Sequence, residues 1–221
     1  AVINMDTVGR LRDQPVSILA AESASEWPHI FRGIGFTTGI ATRTIPGASE
    51  SSDQQSFINA GIPAVQVFTG AHLDYHRPGD TPDKVDADGL VRVATVVREA
   101  ALYLAERPEP LHFSGEGLGN GTQRETRASA AGNRRRVSLG TVPDFAWQGE
   151  GVRVDSVVPG SPAERAGLKP GDVITALDGQ PLADLAAFSA ALKKYRPGDR
   201  VRAEIRRGAD RLDVELELAA R

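Results

Sequence analysis

Apolar and polar positions divide the chain into two patterned stretches with an unpatterned one between them. In the first stretch, short apolar runs alternate with helical periodicities. Val2-Ile3-Asn4-Met5 and Val16-Ser17-Ile18-Leu19-Ala20 predict buried strands, and Ile62-Pro63-Ala64-Val65-Gln66-Val67-Phe68 predicts a third, rich in β-branched residues. Ser25-Glu26-Trp27-Pro28 predicts a helix start, with Ser25 as N-cap and Pro28 in the first turn, where its missing N–H costs nothing. Asp53 to Gly61 predicts a short helix closed by Gly61. Between Asp88 and Glu106, Leu90, Val93, Ala94, Val97, Ala101, Leu102 and Leu104 recur at helical spacing, leaving Arg92, Arg98 and Glu99 for solvent. Strands alternating with helices predict an α/β layer with parallel strands, whose chemistry gathers beyond the carboxyl ends of the strands. Asp6 and the Tyr75-His76 loop both hold that position.

The periodicity stops near Pro108. Ser114-Gly115-Glu116-Gly117-Leu118-Gly119-Asn120-Gly121-Thr122 and the polar run to Arg134-Arg135-Arg136 have linker composition, and the three arginines read as a solvated domain edge. From Val137 onward the pattern is mainly β with one amphipathic helix from Leu185 to Tyr195. Residues 151–157, 201–205 and 212–218 alternate at period two, Val173-Ile174-Thr175-Ala176-Leu177 is a buried strand, and Asp178-Gly179 is a hairpin-type turn.

At 221 residues the chain has length for two modest domains, and 40% hydrophobic with 25% charged residues is ordinary globular composition. A net charge of −3 gives no electrostatic basis for a nucleic-acid partner. Cysteine is absent, which excludes disulfides, thiolate ligands and a thiol nucleophile. No apolar run reaches the roughly 20 residues of a membrane span. The chain opens on a strand pattern without initiator Met or signal-peptide core, as expected of a fragment.

Pro159-Gly160-Ser161-Pro162-Ala163-Glu164-Arg165-Ala166-Gly167-Leu168-Lys169-Pro170-Gly171-Asp172-Val173-Ile174 resembles the core signature of a bacterial-type PDZ domain, and the order of elements agrees over residues 137–221. The resemblance implies a module that binds an extended peptide by strand addition beside a helix. Its carboxylate-binding loop would be Ser138-Leu139-Gly140-Thr141. Leu139, with Phe188 and Leu192 on the helix, would wall the groove; all three are also ordinary core positions. The loop departs from the commoner Gly-Leu-Gly-Phe form, and Pro143 removes one strand N–H. Peptide binding and pure scaffolding both remain open for this module.

In the first stretch, Asn4-Met5-Asp6-Thr7-Val8-Gly9-Arg10 resembles the strand end of the M28 family of zinc aminopeptidases. Ser23-Ala24-Ser25-Glu26-Trp27, Ser52-Asp53-Gln54-Gln55-Ser56-Phe57, Gly61-Ile62-Pro63-Ala64 and Phe68-Thr69-Gly70 follow in the family's order, and Asp74-Tyr75-His76-Arg77-Pro78-Gly79-Asp80-Thr81 matches its last signature. The resemblance implies Asp6 and His76 as zinc ligands and Tyr75 as the phenol that hydrogen-bonds the tetrahedral oxyanion. Asp80 would support the site from behind, as would Asp53, whose alternative is a helix N-cap. Gln54 stands where the family often has His and receives no role.

The implied fold is α/β, a partial zinc-peptidase sheet with flanking helices, followed by a small mainly-β PDZ domain. Expected boundaries are 1–108 for the peptidase-like part, 109–136 for a linker and 137–221 for the PDZ domain. In the intact family site two zinc ions activate water against an N-terminal peptide bond, so the expected substrate is a peptide with a free N-terminus. The remaining ligands and the general base have no counterpart here. The chain alone is therefore expected to be inactive and to bind zinc weakly, the parent protein being the enzyme, periplasmic or secreted by resemblance. The rival reading is a non-catalytic peptide-binding scaffold built on a degenerate peptidase half; aminoacyl transfer or cyclisation, as in glutaminyl cyclases, is a third within the same fold.

Overall fold

Val2–Met5 (β1), Val16–Leu19 (β2), Thr42–Ile45 (β3) and Ala64–Phe68 (β4) form a four-stranded sheet in the order β1-β4-β2-β3. The structure is a computed structural model and describes residues 1–46, 52–75, 77–114, 135–145 and 147–220. β1 runs parallel to β4, with Val2 opposite Ala64, and β2 runs parallel to β3. The inner pair β4–β2 is antiparallel. The sheet is therefore mixed, which corrects the expectation of parallel strands throughout. Both inner strands are wholly buried, and a continuous apolar run carries no mark of its neighbour's direction. β3 has no counterpart among the predicted strands, because of Thr42-Arg43-Thr44-Ile45 only Ile45 is buried.

Trp27–Thr38 (α1) buries Trp27, Ile30, Phe31 and Ile34, a stripe at helical spacing, and ends where Gly39 turns left-handed at φ 71°. Pro28 sits in its first turn as predicted, but Ser25 does not cap it. Glu26 holds the cap position without a side-chain cap bond, and the Ser25 hydroxyl donates to Glu26 Oε2 at 3.1 Å. Gln54–Ile58 (α2) is followed by Gly61 at φ 75°. Ala87–Glu106 (α3) is capped by Asp86, whose Oδ1 accepts the Gly89 N–H at 2.9 Å. A Cβ on Gly89 would lie 2.1 Å from Asp86 Oδ2, so glycine lets this cap close.

Ser23, fully buried, donates to Ala64 O at 2.6 Å and accepts from the Trp27 indole and the Ala64 N–H, joining the start of α1 to β4. The Glu26 carboxylate accepts the His112 N–H at 3.1 Å, meets the His112 ring at 2.7 Å and meets Arg107 at 3.4 Å. Burial alone would raise the Glu26 pKa, but the ring and backbone bonds from His112 outweigh it and hold the group at about 2. Ser114 N–H donates to Ser23 O, and Phe113 bridges Ala24. Residues 109–114 of the expected linker are thus tied to the start of α1. The rest of it, 115–134, lies outside the described residues.

Two compact units result, Ala1–Gly70 with His76–Thr122 and Ala71–Tyr75 with Gln123–Arg221. The second contains Val137–Ser138 (β5), Thr141–Pro143 (β6), Val152–Val157 (β7), Pro162–Arg165 (α4), Val173–Leu177 (β8), Gln180–Pro181 (β9), Leu185–Leu192 (α5), Arg200–Arg207 (β10), Asp210–Glu217 (β11) and Ala219–Ala220 (β12). Its main sheet has the order β11-β10-β8-β7-β6, with β9 on β8, while β12 pairs with β5. Among the described residues β6 is the outermost strand at that edge. Asp178 and Gly179, at φ 47° and 73°, make the predicted hairpin turn between β8 and β9.

Candidate functional site

The end of β1 carries a carboxylate held by a directed chain of hydrogen bonds. Gln54, with no solvent exposure, accepts from the Asn4 amide at 3.1 Å. The same amide donates to Ser52 Oγ at 2.8 Å, and the Ser52 hydroxyl donates to Asp6 Oδ2 at 2.8 Å. Thr7, in the left-handed region at φ 56°, gives its hydroxyl to Asp6 Oδ1 at 3.2 Å. Each Asp6 oxygen therefore accepts one hydroxyl and retains acceptor capacity, an arrangement that orients a carboxylate toward a cation or a donor. Gln54, which the sequence reading left without a role, anchors this chain. Polar residues at 4, 52 and 54 flanking a strand end were the available signal, but pairing them requires the contact across some fifty residues.

The loop after β4 is bound to the loop after β1. Thr69 N–H and its hydroxyl both donate to Thr7 O, at 3.1 and 2.7 Å, and Arg10 N–H donates to Thr69 Oγ1 at 3.1 Å. Asp80 pairs with the Arg10 guanidinium at 2.5 Å, where the Arg10 side chain is only 9% exposed. The structure thus places Asp80 on a cation that braces both loops. Asp53 holds the cap position of α2 in helical conformation, is exposed, and makes no side-chain cap bond.

Tyr75 belongs to the second unit. Within that unit its ring meets His72 edge-on at 6.3 Å and Phe145 at 6.4 Å. Asp6 and Tyr75 therefore fall in different units, and His76 lies outside the described residues. Among the described residues no group of three or more His, Cys, Asp or Glu side chains converges as a metal site would require. A catalytic zinc usually takes three protein ligands. The described donor set, one oriented carboxylate, does not by itself fit such a metal.

In the second unit, Gly140 stands at φ 81°, and a Cβ there would lie 2.1 Å from Ser161 Cβ. The loop carbonyls are taken from the α4 side: Leu139 O by Ala163 N–H and Gly140 O by Val158 N–H, both at 2.8 Å. The Gly140 N–H meets Ser138 Oγ at 3.0 Å. Leu139, Phe188 and Leu192 are at most 2% exposed and belong to the unit's core, where Arg135 lies 5.8 Å over the Phe188 ring. Thr141, half-buried, begins β6. No helix among the described residues is long and apolar enough to cross a membrane.

Comparison with known proteins gives two family matches. Residues 1–101 match the model of peptidase family M28, and residues 118–218 match that of the PDZ domain. The putative serine protease HhoA of Synechocystis is 37% identical over 87 residues, 39% of this chain and 21% of the relative. The periplasmic pH-dependent serine endoprotease DegQ of Escherichia coli is 38% identical over 68 residues, 31% of this chain and 15% of the relative. The chain thus covers about a fifth or less of these curated relatives. Among solved structures, the HtrA3 PDZ domain bound to a phage-derived ligand is 27% identical, covering 39% of this chain and 84% of that one at a TM-score of 0.30. An aminopeptidase N family protein from Idiomarina loihiensis is also 27% identical, covering 41% of this chain and 15% of that one at a TM-score of 0.36. The chain is a peptidase-related protein that carries a PDZ domain.

Proposed function

We propose that residues 1–101 contribute part of a zinc-dependent aminopeptidase site acting on N-terminal peptide bonds, and that the PDZ domain binds peptide. The observation that carries this reading is the Gln54–Asn4–Ser52–Asp6 chain, which dedicates three polar side chains to one strand-end carboxylate. The M28 match over residues 1–101 supports it. In this reading Asp6 and His76 are zinc ligands, Tyr75 donates to the oxyanion, Asp80 braces the loops through Arg10, and Asp53 supports from α2. Zinc, when bound, would polarise the scissile carbonyl and activate water. This chain's residues hold and orient; the further ligands and the general base come from elsewhere in the complete enzyme. HhoA and DegQ are matched over only 21% and 15% of their lengths, which gives no basis for serine chemistry in this chain. The periplasmic setting named for DegQ is the expected compartment.

The second unit would take a peptide along β6, with Leu139, Gly140 and Thr141 forming the carboxylate loop and Phe188 and Leu192 lining the floor from beneath. A zinc titration of this chain tests the first part. The reading expects weak binding that is lost on Asp6→Asn and on His76→Ala. Affinity indifferent to both substitutions would contradict it and favour the scaffold reading.

A further inference from the structure

The direction of the backbone groups on β6 follows from two hydrogen bonds. Gly140 O accepts from Val158 N–H, so the Thr141 N–H, across the same trans peptide plane, faces away from β7. Asp144 N–H donates to Arg153 O at 2.9 Å, so Pro143 C=O also faces away. In extended backbone a residue's N–H and C=O sides coincide, so the Thr141 C=O follows its own N–H outward and the Pro143 nitrogen follows its own C=O outward, on either side of the register shift between Val142 and Pro143. Among the described residues β6 ends its sheet, and this row is an edge of the kind that accepts an added strand.

Two side chains change what the edge offers. Pro143 carries no N–H, so the second outward donor is missing and the ring stands in its place. Just before the strand, Leu139 O is held by Ala163 N–H, which directs the Gly140 N–H outward, toward an approaching carboxylate. Ser138 Oγ already accepts that N–H at 3.0 Å.

We propose, resting on the peptide-binding reading of this unit, that Ser138 and Pro143 make the β6 edge a short-register reader of peptide C-termini. A free carboxylate competes with the Ser138 hydroxyl for the Gly140 N–H, the last ligand residues pair with Thr141, and no strand donor lies beyond. An internal segment of a partner has no carboxylate and depends on a longer ladder, which Pro143 interrupts. The partner is therefore a chain end, held weakly, with Ser138 and Pro143 setting the affinity.

The test uses the whole chain, as wild type, Ser138→Ala, Pro143→Ala and the double variant, each checked by circular dichroism. All four are selected against a phage-displayed pool of random heptapeptides with free C-termini. The enriched peptide is then titrated by fluorescence anisotropy, as acid and as amide. Each single substitution is expected to tighten the acid about fivefold, the equivalent of one ordinary hydrogen bond, and the double variant about twenty-fivefold. Amidation should abolish most of the binding. If wild type binds and neither substitution changes its affinity, the inference fails while the peptide-binding reading stands. Weaker binding by Ser138→Ala would show the hydroxyl assisting the ligand and would overturn the competition. If none of the four proteins enriches any peptide, the peptide-binding reading itself fails.

Discussion

Asp172 is 1% exposed, and its two oxygens are taken by the Arg207 guanidinium at 2.7 and 2.8 Å and by the Lys169 N–H at 2.8 Å. Burial alone would raise its pKa; the Arg207 and Lys169 bonds outweigh that and hold the carboxyl below its ordinary value of 3.8. A depressed folded-state pKa means stabilisation that is complete above about pH 4 and drains as the pH falls through the folded value. Asp172→Asn is expected to cost about 3 kcal/mol at pH 7, the low end for a broken buried pair because Arg207 is a third exposed. It should also flatten the acid limb, as urea denaturation at pH 7 and pH 3 will report. At the zinc-ligand candidate, Ser52→Ala leaves Asp6 in place but loosens it, and zinc affinity should fall roughly tenfold. An unchanged affinity would remove Ser52 from the account. The place of Asp6 at a strand end was legible in Asn-Met-Asp after an apolar run. The side chains that orient it were not legible, because Ser52 reaches Asp6 across 46 residues of sequence and Gln54 reaches Asn4 across 50.

At the scale of elements, the sequence showed period and punctuation well. The Asp178-Gly179 turn and the alternating β10 stand where apolar spacing placed them, and α3 has nearly the predicted span. That helix buries Gly89, Val93, Val96 and Ala100, however, while Leu90, Ala94, Ala101 and Leu102 of the expected stripe are exposed. Direction and edges were less visible. β3 buries one residue of four, and the antiparallel β4–β2 pair looks in sequence like any buried pair. Caps failed where two candidates adjoined: Ser25 turned to Glu26, whereas Asp86 capped α3 unannounced. Asp86 is held below its ordinary pKa by the Gly89 and then the Arg12 N–H, so the cap is complete above about pH 4 and weakens as pH falls. Asp86→Ala should lower the melting temperature by about a few degrees at neutral pH and by less near pH 3. At the start of β6, Gly140→Ala combines a left-handed backbone with collision against Ser161 and should cost at least about 2 kcal/mol, read by chemical denaturation.

For the whole molecule, chain length indicated two domains, and the structure gives two units, although the expected linker begins with residues tied to the first. The Glu26–His112–Arg107 cluster holds that tail. With Glu26 depressed from 4.5 to about 2, its contribution is present above about pH 4.5 and lost as the pH falls toward 2. Glu26→Gln should speed amide exchange at residues 112–114 at neutral pH and remove that acid dependence.

The proposed metal-dependent aminopeptidase chemistry differs from that of the matched curated relatives, which are named as serine proteases. The direct measurement is hydrolysis of aminoacyl-p-nitroanilides by the complete enzyme, with zinc, after zinc removal, and with a serine-reactive phosphonate. Zinc removal is expected to abolish turnover, zinc to restore it and the phosphonate to do nothing, and His76→Ala should lower kcat/KM at least about a hundredfold. Turnover that survives zinc removal, or that His76→Ala leaves unchanged, would contradict the metal-dependent chemistry.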